Sequence, residues 1–476
     1  MNKLAIVIAI AGTVLSGCSL APTYVQPTRP VAEFFPYQSQ ISPATNASIQ
    51  TRFADPRLQM LVDSALLNNK DLRIATLNIM QARAQYQIQR ADRLPTVNGS
   101  IGYTRQRGDE TAYLSTDEIT STHNLGVGIS SYELDLFGRV KNLTDAALRE
   151  YLAIEANQRA VRLSLIAEVA TAYLNQRSLA ERIDVARRTV RIRTEEFDLI
   201  TNRVHQGLAS ELTLSQSEAS LEEAKADAAA LEREMNQSDN NIALLVGGPL
   251  PASIPDPLPL EQQKLDEALP GGLSSTLLER RPDIIAAEQR LIASYANIGA
   301  ARAAFFPRIS LTAAVGSSST QLDDLFAGSS RYWTFAPSIS IPIFNHGRNQ
   351  AALEVAQVRK DLNVAEYEKT IEVAFREVSD ELGARAPLER QLKAKQAQLE
   401  AAQRSARISA ERYSQGLDGY LDSLDSQRQL YQVETALIQT KLLLGVSQIR
   451  LIKSLGGDWQ GSLPLSASAT RTKDKR

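Results

Sequence analysis

Cysteine occurs once in 476 residues, at position 18, so no intramolecular disulfide can form. Histidine occurs three times, as His123, His205 and His346, too scattered to suggest a histidine-rich metal site. Charge of one sign is not in excess: 52 Lys and Arg against 54 Asp and Glu leave a formal net charge of −2. With no basic stripe interleaved with aromatics, nucleic acid has nothing to bind. Neither a nucleophile elbow nor a phosphate-cradling glycine loop is present, so no catalytic constellation and no cofactor are expected. A hydrophobic content of 43% with 22% charge is enough to bury large surfaces, which excludes wholesale disorder.

What is present begins at the N-terminus. Lys3 precedes an apolar run from Leu4 to Leu15. That run is short of the roughly 20 residues of a transmembrane helix and has the size of a signal-peptide core. It ends in Leu15-Ser16-Gly17-Cys18, which resembles a bacterial lipoprotein box. The resemblance implies removal of residues 1–17 and acylation of Cys18, palmitate included, with Ser19 favouring the outer membrane. An ordinary signal peptide with a chance cysteine is the plainer alternative. Residues 18–55 carry Pro22, Pro27, Pro30, Pro36 and Pro43, a density that forbids a helix and predicts an extended strap.

The rest of the chain is one unit written twice. Arg203-Val204-His205-Gln206-Gly207-Leu208 returns as Arg412-Tyr413-Ser414-Gln415-Gly416-Leu417 about 209 residues later, and Gly247-Gly248 returns as Gly456-Gly457. Leu94-Pro95 likewise matches Phe306-Pro307, and Asp71 matches Asp283. The first repeat spans 56–248 and the second 273–457, with a Pro/Gly-rich linker at 249–272 and a flexible tail at 458–476. Each half reads as helix, two strands, long helix, helix. Roughly sixty residues from Lys141 to Arg203 contain neither proline nor glycine, which predicts a helix on the order of 90 Å long. Its copy, from about Asn349 to Arg412, is interrupted near Gly383 and Pro387, where a kink or distorted turn is expected. Gly207 and Gly416 can adopt the left-handed conformation that ends a helix, so the chain should reverse at these two tips.

Four segments alternate with period two: about 96–106, 122–136, 307–317 and 331–344. Val97, Ile101 and Tyr103 alternate with Asn98, Ser100, Gly102 and Thr104; Leu125, Val127 and Ile129 alternate with Asn124, Gly126 and Gly128. A small, polar alternate face is what a water-filled transmembrane barrel requires, and each segment has about the 9–11 residues of a tilted spanning strand. Tyr332, Trp333 and Phe335 at one strand end suggest an interfacial girdle. The plainer alternative is a half-solvated soluble hairpin. Glu133 and Asp135 would face lipid unless the alternation slips, so a bulge belongs near Ser130-Ser131. Pro337 and Pro342 each remove a ladder donor from the last strand. Four strands cannot close a barrel, and an open edge in lipid leaves backbone groups unpaired, so closure must come from other copies of the chain. Three copies give twelve strands and an open lumen.

The sequence resembles the outer-membrane factor family of tripartite efflux systems, TolC-like and closest to the OprM-like lipoprotein branch. The stretches that carry the resemblance are Leu277-Leu278-Glu279-Arg280-Arg281-Pro282-Asp283-Ile284, Glu133-Leu134-Asp135-Leu136-Phe137-Gly138-Arg139 and the tip Gln206-Gly207-Leu208-Ala209-Ser210. It implies a mostly α protein with a transmembrane β part: a homotrimer whose twelve-stranded barrel in outer-membrane lipid continues as a long periplasmic α-helical barrel. The implied function is a passive, non-enzymatic exit duct for drugs and other small molecules. Its implied partners are a periplasmic adaptor and an inner-membrane pump of the resistance-nodulation-division type. In such a protein the tips Gly207, Leu208, Ala209, Ser210, Gly416 and Leu417 dock the adaptor. Tyr413, Leu421, Asp422, Asp425 and Arg428 narrow the periplasmic entrance, with Asp418 on the same face and Arg428 as the neutralising partner of Asp425. A plainer reading makes the glycines simple caps and the acids a solvated helix start. At the same offset Leu421 matches Leu212, but Asp425 matches Gln216 and Arg428 matches Ala219, so a closed ring would hold three acids rather than six. A periplasmic adaptor, another structural helical lipoprotein and the outer-membrane duct of a secretion system are the competing readings.

Overall fold

The computed structural model describes residues 19–37, 53–107, 119–249, 254–263 and 275–456. The expected signal segment, Cys18 and the C-terminal tail lie outside these residues. In chain order the elements are α1 (Pro56–Asn68), α2 (Lys70–Ala91), β1 (Val97–Arg107), β2 (Ile119–Leu134), α3 (Arg139–His205), α4 (Glu211–Val246), α5 (Pro282–Ala303), β3 (Arg308–Ser319), β4 (Arg331–Ser340), α6 (Arg348–Ser414) and α7 (Tyr420–Ser454). The same order of elements therefore occurs twice. One copy differs: where the first repeat opens with α1, the second opens with a 3-10 helix, Ser275–Arg280. By contacts the chain forms two compact units. One gathers Met1–Thr28, Leu77–Ala156 and Ile285–Lys369; the other gathers Arg29–Thr76, Asn157–Ile284 and Thr370–Arg476.

The first unit holds one antiparallel sheet in the order β1-β2-β3-β4, so β1 and β4 are its free edges. Residues directly opposite each other share a face, and the register sorts the side chains accordingly. One face carries the rungs Gly99–Val127–Val315–Trp333 and Val97–Ile129–Ala313–Phe335. The other carries Asn98–Gly128–Ala314–Thr334 and Ser100–Gly126–Gly316–Tyr332. The expected bulge is present: the register shifts between Ile129 and Tyr132, and Ser131 has φ 56°. Beyond it Tyr132 pairs with Leu311 and Glu133 with Ser310. One inserted residue thus moves Glu133 from the apolar to the polar face, as a β-bulge does. Strand β4 stops at Ser340, short of the expected 344, before Pro342, whose nitrogen cannot donate to a ladder. Pro337 lies in β4, whose outer side is open within the single chain.

In the second unit the helix breaks have identifiable causes. Asp55 caps α1 by accepting from the Arg57 backbone N–H at 2.8 Å, and Pro56 occupies the first helical position. Asn69 ends α1 in an extended conformation and then caps α2, its Oδ1 accepting from the Leu72 N–H at 3.0 Å. Its Nδ2 donates to the Leu245 carbonyl, which ties the α1–α2 junction to the end of α4. The main core packs Leu58, Leu61 and Val62 of α1 against Ile166, Val169 and Tyr173 of α3 and Val446 and Ile449 of α7. Asp55 is fully buried beside it, accepting from Tyr173 Oη and Gln263 Nε2, both at 2.5 Å, and from the Leu258 N–H at 3.1 Å. Burial alone would raise the pKa of this carboxyl, but the hydrogen bonds outweigh it and hold the group below its ordinary value. Arg281 anchors the second repeat: it donates to the Ser454 carbonyl at 2.7 Å and pairs with Asp283 and Glu377 at 2.8 and 2.9 Å.

The expected interruption near Gly383 and Pro387 does not end α6. The helix runs unbroken over 67 residues with Pro387 inside it. Proline deletes one hydrogen bond, the one to the carbonyl four residues back, which belongs to Gly383, and the other turns carry the helix through. Gly383 has a separate reason to be glycine: a β-carbon there would stand 3.2 Å from the Tyr37 ring. Helix α3, also 67 residues, is roughly 100 Å long.

Candidate functional site: strand faces, strap and helix tips

The two sheet faces are the first element of the site. On the apolar face Ile101, Val315, Trp333 and Phe335 are all more than half exposed in the single chain. Trp333 and Phe335 share it, but Tyr332 does not. Its ring lies across the polar face, with the hydroxyl 3.0 Å from where a β-carbon on Gly126 would stand and Cε1 3.1 Å from one on Gly316. The expected three-residue girdle is therefore split, since adjacent strand residues point to opposite faces. At the sheet's helix-proximal end Glu133 is gripped by Arg139 at 2.7 Å and approached by Arg308 at 3.4 Å. Around them a cavity of about 420 Å³ is lined by Asp135, Phe306 and Arg348.

The strap is the second element. Ser19, the residue after Cys18, donates to Asn142 Oδ1 at 2.7 Å, and the Leu20 carbonyl accepts from Arg302. The chain passes so close to α5 that a β-carbon on Gly299 would stand 2.7 Å from the Ala21 nitrogen. Asn142 lies in the first turn of α3, just after β2, and Arg302 in the last turn of α5, just before β3. The strap thus starts beside the helix-proximal end of the strands. Farther along, Tyr24 donates to Glu288 at 2.9 Å and packs edge-on against Tyr295.

The helix tips are the third. Gly207 and Gly416 have φ of 72° and 73°, so both reversals use the left-handed conformation expected of them. Leu208 and Leu417 project at 72% and 62% exposure, leaving each tip with an apolar prow. Ser210 caps α4 through the Thr213 N–H at 3.2 Å, whereas Gly419 caps α7 without a side chain. Arg412 instead closes the second tip by a two-point bond to Asp418, at 2.6 and 2.7 Å. Arg412 holds that carboxyl below its ordinary value. Asp418 lies before α7 begins and is spent on this bond, so it is not part of the helical face expected to carry the gate.

Leu421, Asp422 and Asp425 are exposed on the opening turns of α7. Arg428 does not neutralise Asp425; it reaches across to Glu223 of α4 at 3.3 Å. A guanidinium one turn along the same helix met a better-placed carboxylate on a neighbouring one. Tyr413 is held by its ring, with the Arg203 guanidinium 5.3 Å from its centroid and Tyr420 at 5.7 Å. Ile200, Leu424, Val204 and Leu214 complete this cluster. Burial pushes the Tyr420 hydroxyl up to about 12, and no described residue hydrogen-bonds it. Arg203, Glu223 and Tyr420 are the residues sequence reasoning missed. Only Arg203 had a visible signal, as the first-repeat copy of Arg412.

Comparison with known proteins agrees with this geometry. The chain matches the outer membrane efflux protein family over residues 61–248 and 273–457. The toluene efflux pump outer membrane protein TtgC of Pseudomonas putida is 42% identical over 467 residues, 96% of each chain. Outer membrane protein OprJ of Pseudomonas aeruginosa is 43% identical over 453 residues, 94% of each. Among solved structures, the open state of the Neisseria gonorrhoeae MtrE outer membrane channel superposes with a TM-score of 0.85 at 40% identity, covering 93% of this chain and 99% of that one. The two-faced sheet, the long paired helices and these likenesses lead to one conclusion: the chain belongs to the outer membrane efflux protein family.

Proposed function

We propose that the protein is the exit duct of a tripartite efflux pump, conducting drugs, solvents and other small molecules passively through the outer membrane. The observation that carries this reading is the register of the sheet. It separates a continuous small and polar face from an apolar one while leaving both edges open. Three copies closing edge to edge give a twelve-stranded barrel with the polar face inward, and the long helices of each copy extend the tube into the periplasm. The exposed leucines of the tips suit docking on the helical hairpin of an adaptor, which in turn meets an inner-membrane pump of the resistance-nodulation-division type. Asp425, exposed near the start of α7, has no ion-pair partner among the described residues and suits a narrow carboxylate ring in the closed entrance.

Acylation of Cys18 fits the same reading. Ser19 sits beside the helix-proximal end of the strands, so an acyl chain on the preceding residue would enter the inner leaflet directly. The matched family and TtgC are named for efflux, so the secretion-duct alternative has no observation in its favour, and the duplicated strands leave none for an adaptor. The test is the mass of the detergent-solubilised complex together with its conductance in a planar bilayer. A three-chain particle that conducts ions is expected; a monodisperse single chain without conductance would sink the duct.

A further inference from the structure

The register places the cations of the apolar face at one end. Arg105, Arg107, His123 and Arg331 share that face with Ile101, Val127, Val315 and Trp333. All four lie at or beyond the rung Ile101–Leu125–Ser317–Arg331, at the strand ends farthest along the chain from the helices. No acidic residue stands on this face among the described residues. Asp323 and Asp324 belong to the β3–β4 connection, outside the strands. Arg107 already has a partner, and His123 stacks on Tyr103 with ring centroids 4.8 Å apart. Arg105 and Arg331 are exposed and form no ion pair with any described residue.

These two arginines lie on the sheet's two free edges, Arg105 on β1 and Arg331 on β4. On the trimeric-barrel reading, on which this inference rests, β4 of one copy pairs with β1 of the next. Each of the three junctions then sets the edge that carries Arg105 beside the edge that carries Arg331, both on the lipid side and at the same end of the strands. Like charges at the border of an apolar layer repel strongly, because little water screens them. An anion between them removes the repulsion, and a guanidinium pair matches the forked oxygens of phosphate. Directly below, Trp333 and Phe335 with Val315 and Ala313 form an apolar band against which acyl chains can lie.

We propose that Arg105 and Arg331 of adjoining copies form a binding site for the phosphate groups of an outer-leaflet phosphoglycolipid. The source is the outer leaflet because the arginines mark the end of the strands opposite the helices. The glycolipid would act as a clamp across the junction between copies.

The test uses trimers of the full chain purified in detergent, incubated separately with bis-phosphorylated lipid A, with its dephosphorylated form and with phosphatidylglycerol. Bound lipid is counted by native mass spectrometry. Wild-type trimers should retain the bis-phosphorylated lipid, and Arg105→Gln/Arg331→Gln trimers roughly tenfold less, since each loses charge-assisted bonds. Arg348→Gln, at the other end of the strands, should bind like wild type. Equal retention by the double variant, equal retention of the dephosphorylated form, or equal retention of phosphatidylglycerol would each overturn the site. A chain that stays monomeric before any lipid is added would instead sink the barrel reading and the junction with it.

Discussion

The two helix tips share a backbone and differ in their charges. Both reverse at a left-handed glycine, and both carry an arginine four residues before it, Arg203 and Arg412. In the second tip that arginine is locked by Asp418. In the first, Ala209 stands where the aspartate would be, and Arg203 lies over the Tyr413 ring instead. Duplication kept the geometry that glycine dictates while the side chains diverged. One tip is left smooth and apolar, suited to docking, and the other is braced by an ion pair beside the proposed gate. The repeat openings diverge similarly: the first is anchored by the buried anion Asp55, the second by the buried cation Arg281.

The sharpest way to break this comparison is to fill the smooth tip. Ala209→Trp should abolish export in a drug-accumulation assay while trimers still reach the outer membrane. Export at the parent level would remove the first tip from the docking surface.

Next in size is the anchor of the first repeat. Asp55→Ala strands the donors of Tyr173, Gln263 and Leu258 in a buried site, at about 1–3 kcal/mol for each buried group left unpaired. A clear fall in the thermal midpoint of the detergent-solubilised protein is expected. Because the folded carboxyl titrates below its unfolded value, its contribution is complete above the unfolded value of about 3.9 and is lost as pH falls through the folded one. The parent should therefore lose stability on acidification below that point, and Asp55→Ala should lose less. Equal acid sensitivity in the two proteins would mean that the hydrogen bonds to Asp55 do not shift it.

The smallest effect concerns the cross-helix pair. Arg428 and Glu223 are both largely exposed, so their bond is worth at most about 1 kcal/mol, a change of about fivefold in an open population. Arg428→Ala and Glu223→Gln should each raise open probability modestly in planar bilayers, and the double variant should add little. Additive effects would mean that the two residues act apart.

Much of the fold was legible because its signals are periodic. Alternation gave the strands, the absence of breakers gave the long helices, and the misplaced charge of Glu133 located the bulge. Period-two logic applied to each residue would also have separated Tyr332 from Trp333, but grouping the aromatics by proximity hid their parity. The site's ion pairs were less legible. Spacing along one helix shows which residues share a face, and it assigned Arg428 to Asp425. Its partner Glu223 lies in the other repeat, and only packing reveals it. Pro387 does not end α6, because one lost hydrogen bond weighs little in so long a helix.

The central claim is that one sheet face meets lipid and the other water. It is tested most directly by single-cysteine scanning of β3 in intact outer membranes, on a background in which Cys18 is replaced and a non-lipoprotein signal peptide is supplied. A membrane-impermeant thiol reagent should label cysteines at Thr312, Ala314 and Ser318, which line the polar face, and spare those at Leu311, Ala313 and Val315. Labelling that ignores this alternation, or that follows it with the opposite parity, would contradict the barrel.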